Sequence, residues 1–316
     1  MIKDVYFCSC VKDGGIYHYK LEDEKLSFCE KVGLESPMYM IIRENRAHVI
    51  LRETDHVTHF GGIMCFEIAE DGKLINPSEI CSTDGIVPCH LEVTRNGRYA
   101  VNYLSGNISK IGEKTVTHIG SSVHKRQTEP HTHFIAEDGG YLFCVDLGLD
   151  AIICYDKELN EVSRGYVPAG HGARHLAFSD DGKLVYCVNE IVSSVSVFER
   201  NGSELKLLGT YDSLPDFDGP NTAAAIRICN DKLYISNRGA DTITEFQIIG
   251  NELKLLKNHS CFGTGPRDFD IIDGLFFCTN EQSNDVTVLK MVNGRLELSD
   301  RVAMDAPLCV TQKGEA

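Results

Sequence analysis

The stretch GHGARHLAFSDDGKLVYCVNE, residues 170–190, decides how the chain is read. Two apolar runs, "HLAF" and "LVYCV", flank "SDDGK", whose Asp-Gly step supplies the backbone freedom of a tight turn between antiparallel strands. The hairpin places Arg174 and His175 at the start of its first strand and Asn189 and Glu190 at the end of its second. Four polar side chains therefore converge on one tip, with Arg174 expected to face Glu190 across the ladder.

The same order of features recurs along the chain. "PCHLEVTRNGRYAVNYLSGNISKI", "PHTHFIAEDGGYLFCVDLGLDAIICYD", "AAIRICNDKLYISNRGADTITEFQI" and "PRDFDIIDGLFFCTNEQSNDVTVLKM" each carry a polar start and a short strand, then a turn, a longer strand and a third strand. Marking the start of each copy at Tyr39, His90, His133, His175, Ala225, Asp268 and a last partial copy at Cys309 gives spacings of 51, 43, 42, 50, 43 and 41 residues. A repeat of this length with three or four strands per unit is the signature of propeller blades. Seven starts predict an all-β, seven-bladed β-propeller forming a single domain over residues 1–316. The last copy is cut short, while "DVYFCSCV", "GIYHYKLE" and "KLSFCEKV" near the N-terminus belong to no copy. N- and C-terminal strands are therefore expected to share one blade, which closes the ring and leaves no open sheet edge.

In a propeller the first strand of each repeat lines the central channel, so the hairpin tips form one rim of it. Turn positions pair His90 with Asn102 and Arg267 with Asn280, set His133 opposite Asp146, and bring Arg238 near Ala223 and Ala224. The rim collects His90, His133, Arg174, His175, Glu190, Arg238 and Arg267, with Asn189 next to Glu190 at the tip of its hairpin. Neighbouring residues on a strand face opposite sides, so only one of Arg174 and His175 should face directly into the channel. His131 lies further out in the preceding loop. A zinc site from His90, His131 and His133 lacks an arranged carboxylate or cysteine ligand, and no metal or other cofactor is expected.

Composition narrows the partner. The net charge of −15 opposes nucleic-acid binding, because phosphate backbones need a basic surface. A cationic rim on an acidic protein instead points to local capture of an anionic small molecule: arginine forks bind carboxylate or phosphate, and histidine moves protons near neutral pH. No apolar run is long enough for a membrane span, and "MIKDVYFCSC" lacks the basic segment and long apolar stretch of a signal peptide, so none is expected. The 13 cysteines are an odd number and sit mostly in apolar runs, as reduced thiols would in a cytoplasmic protein. "CSC" sets Cys8 and Cys10 on one face of a strand.

The motifs "PHTHF", "GARHLAFSDDGKLVYCVNE", "ISNRGADTI" and "GTGPRDFDI" together resemble the lactonase family of seven-bladed propellers, over about residues 33 to 310. That family includes a bacterial type of 6-phosphogluconolactonase and the fungal carboxy-muconate cyclase. The resemblance implies catalytic roles for His133, Arg174, Glu190 and Arg238; the hairpin placement adds His90, His175, Asn189 and Arg267 as expected substrate-binding neighbours. It departs at Ala173, where members often carry proline, and at Ala225, where they often carry glutamate.

On this reading the protein is a cofactor-free lactonase that hydrolyses a sugar-acid lactone. Glu190, kept ionised by Arg174, would take a proton from water; His133 would relay one to the leaving oxygen; Arg174 or Arg238 would hold developing negative charge. Two alternatives stand beside it. The same groups could run a cycloisomerisation that forms a lactone from a muconate-type acid, or the propeller could be a binding scaffold without catalysis.

Overall fold

The computed structural model describes residues 2–313. Seven antiparallel sheets form a ring, and their innermost strands are Pro37–Arg43, Pro88–Thr94, Thr132–Asp138, Ala173–Phe178, Thr222–Cys229, Pro266–Ile272 and Pro307–Gln312. Numbering blades by these strands in chain order, blade 7 is the closure: Pro307–Gln312 pairs with Lys3–Ser9, which continues into Gly15–Glu22 and Lys25–Gly33. The C-terminal strand thus becomes the inner strand of a blade begun by the N-terminus, as the sequence pattern requires. Six blades have four strands; blade 1 has a fifth, because Leu74–Ile75 and Cys81–Ile86 both pair with Phe60–Ile68. Among the described residues, no helix is long and apolar enough to cross a membrane.

Alternation along each strand turns one apolar set toward each neighbouring blade, and the core is a series of slabs between blades. Tyr186, Val188, Val195 and Val197 of blade 4 meet Ala223, Ile226, Leu233 and Ile235 of blade 5 in one such slab. The closing blade is packed on both sides, through Val5, Phe7 and Val310 against blade 6 and through Tyr6, Cys8 and Cys309 against blade 1. Cys8 therefore lies in the core, while Cys10 falls past the strand with its Sγ 3.2 Å from Met38 Sδ, so the two thiols of "CSC" do not act together.

Asparagines at the ends of the second strands are structural clips. Asn189 Nδ2 donates to Ser194 Oγ and Ser196 Oγ, both at 2.9 Å; Asn237 does the same to Thr242 and Thr244, and Asn280 to Asp285 and Thr287. Each ties the second strand of its blade to the third.

One irregularity recurs in every blade. The ladder between the first and second strands shifts by a β-bulge that leaves Met38, Cys89, His133, Arg174, Arg267 and Leu308 without a cross-strand partner; blade 5 skips Ala224 and Ala225. A bulge rotates the chain locally and re-aims the skipped side chain. The register expected from the turns is corrected accordingly. His175 pairs with Val188 and Ala173 with Asn189, so Arg174 pairs with neither Glu190 nor any other residue. His90 pairs with Val101 rather than Asn102, Thr132 rather than His133 faces Asp146, and Pro266 rather than Arg267 faces Asn280, whereas Arg238, opposite Thr222, does lie beside Ala223. The counterpart of His90 and His175 in blade 3 is Phe134, one residue past the expected mark at His133.

Candidate active site

The bulges open the channel mouth. Met38, Cys89, His133 and Arg267 line a cavity of about 280 Å³ there, together with Arg52, Tyr103, Arg126, Glu190 and Arg238. The bulge residues Arg174 and Leu308 border a much smaller void beneath it, with Tyr39, His175 and Asp268.

Glu190 is the centre of charge. It leaves the second strand of blade 4 one residue after Asn189, its amide anchored to Gly172 O at 2.7 Å, and its carboxylate is buried. Oε2 accepts from Arg174 Nε at 3.0 Å and lies 2.9 Å from Arg238 Nη2, while Oε1 accepts from Arg126 Nη2. Burial alone would raise its pKa, but Arg238, Arg174 and Arg126 with His133 outweigh it and hold the carboxyl well below the usual range.

Arg174 is 2 % exposed; besides the bond to Glu190, its Nη1 donates to Ala224 O at 2.6 Å and lies 3.2 Å from His175 Nε2. Burial and the neighbouring Arg238 press its pKa down, Glu190 opposes them, and a guanidinium stays protonated at neutral pH. Arg238 also donates to Ala223 O at 3.2 Å, and Arg267 reaches Glu281 at 3.3 Å. Arg52 is exposed on the rim.

His133 lines the cavity, and its Nδ1 has no partner within the protein. Burial first, then Arg174, pushes its pKa well below 6.5, so the ring is neutral. His90 and His175 are neutral for the same reason and form the floor. Ring centroids run from Tyr39 to His90 at 4.3 Å, from His90 to Phe134 at 4.3 Å, and from Phe134 to His175 at 5.1 Å, so these rings plug the channel. Neither His90 nor Asn189 lines the mouth cavity, and the amide of Asn189 is taken up by its clip. His131 stacks on Tyr103 at 4.5 Å, with Nδ1 3.0 Å from that residue's carbonyl, away from the floor histidines. Among the described residues, no group of three His, Cys, Asp or Glu side chains is arranged so that it could hold a metal ion.

Besides apolar and cysteine lining residues, the repeat pattern did not reveal Arg126, Arg52 and Tyr103. Arg126 sits in the loop between blades 2 and 3, outside any repeat, and Gln127 holds it through Nε2 bonds of 2.7 Å to Leu147 O and Asp150 Oδ1. The only signal in the sequence is the basic run "HKR" in an acidic chain.

Residues 4–312 match the family described as lactonase, 7-bladed beta-propeller. The chain belongs to this lactonase family. A protein of Staphylococcus epidermidis whose function is uncharacterized is 30% identical over 92% of this chain and 93% of its own length. A solved protein of Lactobacillus plantarum is 25% identical with a TM-score of 0.91, covering 99% of this chain and 100% of that one. A periplasmic gluconolactonase of Pseudomonas aeruginosa, 22% identical with 99% of each chain covered, has a TM-score of 0.90. A putative 6-phosphogluconolactonase of Bacteroides fragilis, 22% identical, covers 99% of this chain and 98% of that one at 0.88. At such identities these last two speak for the shared fold. The lactonase family brings with it a small-molecule lactone as the class of substrate.

Proposed function

We propose that the protein hydrolyses an anionic sugar-acid lactone of the 6-phosphogluconolactone class at the channel mouth. The observation that carries this reading is a cavity whose wall holds Arg52, Arg126, Arg238 and Arg267 around a single carboxylate already committed to three guanidinium groups. Such a wall favours an incoming anion, and the exposed Arg52 and the rim-facing Arg267 are placed to take its phosphate or carboxylate.

The arrangement also bears on the proton acceptor. A carboxylate clamped by three arginines has little basicity, so Glu190 serves better as the brace that aims Arg126, Arg174 and Arg238. Neutral His133, with an unpartnered nitrogen, is the proton acceptor in this reading. Its basicity rises when the substrate's negative charge offsets the arginines. Water adds to the lactone carbonyl as His133 takes its proton; Arg238 or Arg126 stabilises the oxyanion; the imidazolium returns the proton to the departing ring oxygen. We place the protein in the cytoplasm, a reading supported by its 13 free thiols.

Turnover of 6-phosphogluconolactone, corrected for spontaneous opening, tests this. His133→Asn should lower kcat by a factor on the order of 10² to 10⁴, the contribution of a positioned general base. If the wild type accelerates no sugar-acid lactone but forms a lactone from a muconate-type acid, the cycloisomerase assignment replaces this one. If it does neither, the protein is a binding scaffold.

A further inference from the structure

Away from the mouth, between blades 1 and 2, four side chains from four strands meet. Cys65 in Phe60–Ile68 lies directly across the ladder from His48 in Arg46–Leu51, and its Sγ is 3.1 Å from His48 Nδ1. Arg98, from Gly97–Asn102 of the next blade, donates Nη1 to Cys65 Sγ and Nη2 to Cys81 Sγ, each at 3.4 Å. Cys81 opens the extra strand Cys81–Ile86 and pairs with Ile63, so it shares a face with Cys65 as its diagonal neighbour.

Two features separate this cluster from ordinary packing. Among the described residues no carboxylate lies within ion-pair distance of Arg98, although the chain carries 46 acidic residues, so the guanidinium has sulfur as its side-chain partner. Both thiols are also half-buried rather than sealed, unlike Cys8 and Cys309, which face each other in the core at 0% and 1% exposure. A cation beside a partly exposed thiol stabilises its thiolate, the form that attacks electrophiles. The same cation disfavours a metal ion there.

We propose that Cys65 and Cys81 form a peroxide-reactive thiol pair, with Arg98 and a hydrogen bond from His48 stabilising the Cys65 thiolate, whose proton passes to solvent. The Cys65 sulfur attacks one oxygen of a hydroperoxide, the O–O bond breaks, and the other oxygen leaves as an alcohol or water after taking up a proton. Cys65 is then a sulfenic acid. The Cys81 sulfur attacks the Cys65 sulfur, and the sulfenic oxygen departs as water with the Cys81 proton. Two thiols are oxidised to one disulfide and one hydroperoxide is reduced. Burial, with Arg98, Arg46 and Arg43 nearby, lowers the His48 pKa to about 4, so the ring is neutral and can donate an Nδ1–H hydrogen bond to the Cys65 thiolate without taking its proton. The diagonal placement requires the short Cys81–Ile86 strand to shift on bridging, and that strand runs straight into Val87 and Cys89 of the cavity wall.

The test is peptide mapping of the full chain after hydrogen peroxide at less than one equivalent, with alkylation of the remaining thiols. Cys29, the exposed lone thiol, is the internal control. A Cys65–Cys81 linked peptide should form at least about tenfold faster than Cys29 is oxidised, and Cys81→Ser should leave a Cys65 sulfenic acid that a 1,3-diketone traps. Consumption of Cys29 while Cys65 and Cys81 remain alkylatable overturns the proposal. An Arg98→Gln variant with unchanged circular dichroism that oxidises as fast as wild type overturns the role of the guanidinium.

Discussion

Glu190 Oε2 accepts a 3.0 Å hydrogen bond from Arg174 Nε although the two residues do not pair across their hairpin. Arg174 occupies the bulge and Glu190 lies one residue past the strand, so the contact is made by two side chains that have both left the ladder. That freedom lets one carboxylate take Arg126 and Arg238 as well. A regular hairpin would have given a single cross-strand pair, and the bulge gives a cluster of cations.

Arg174→Ala should therefore weaken the fold as well as the chemistry. It leaves Ala224 O and part of Glu190 unpaired in a buried site, and breaking such a pair costs about 3–5 kcal/mol. Urea unfolding should show the loss; a midpoint equal to wild type would mean that Arg174 acts on substrate alone.

Arg126→Ala and Arg52→Ala should behave differently. Arg52 is open to solvent, so its removal changes stability little, and Arg126, with 37% of its side chain exposed, costs less than Arg174 when removed from Glu190; in both variants KM for a phosphorylated lactone rises. The effect should be smaller on an unphosphorylated lactone and should shrink with added salt. Equal changes for both substrates would remove phosphate capture from these residues.

Asn189→Ala should cost about 1–3 kcal/mol through two lost clip bonds within blade 4, with KM unaltered. A rise in KM at unchanged stability would restore Asn189 as a substrate contact.

Acid should destabilise the protein early. His90, with its pKa lowered to about 3, and His133 and His175, also lowered, stay neutral in the fold but take protons when unfolded. Below the unfolded value near 6.5 the unfolded chain binds more protons, so stability falls as pH falls, by up to about 1.4 kcal/mol per pH unit for each group. Glu190, depressed below 4.5, adds a further loss at lower pH. A urea midpoint that stays level from pH 6.5 to 5 would contradict this. Activity resting on neutral His133 should correspondingly be level through neutrality and decline only in acid.

Deleting residues 305–316 removes the inner strand of blade 7 and exposes the edge of Lys3–Ser9. The truncated chain should lose cooperative thermal unfolding and scatter light on standing; a monomeric, cooperatively melting product would show that closure is dispensable.

The sequence by itself determined the number of blades, their all-β character and the closure by both termini, because alternation, turn residues and repeat length are local properties that survive in a linear reading. It also named the buried polar set around His133, Arg174, Glu190 and Arg238. Tertiary structure decided which of these groups touch. A one-residue bulge at six of the seven inner strands reverses the face a side chain takes, and nothing in the strand "ARHLAF" announces it. Arg126 joined the site from an inter-blade loop, Asn189 left it for a clip within its own blade, and Arg98 crossed from one blade to the thiols of another. Each of these placements depends on ring packing between segments distant in the chain, where long-range contact rather than local pattern sets the geometry.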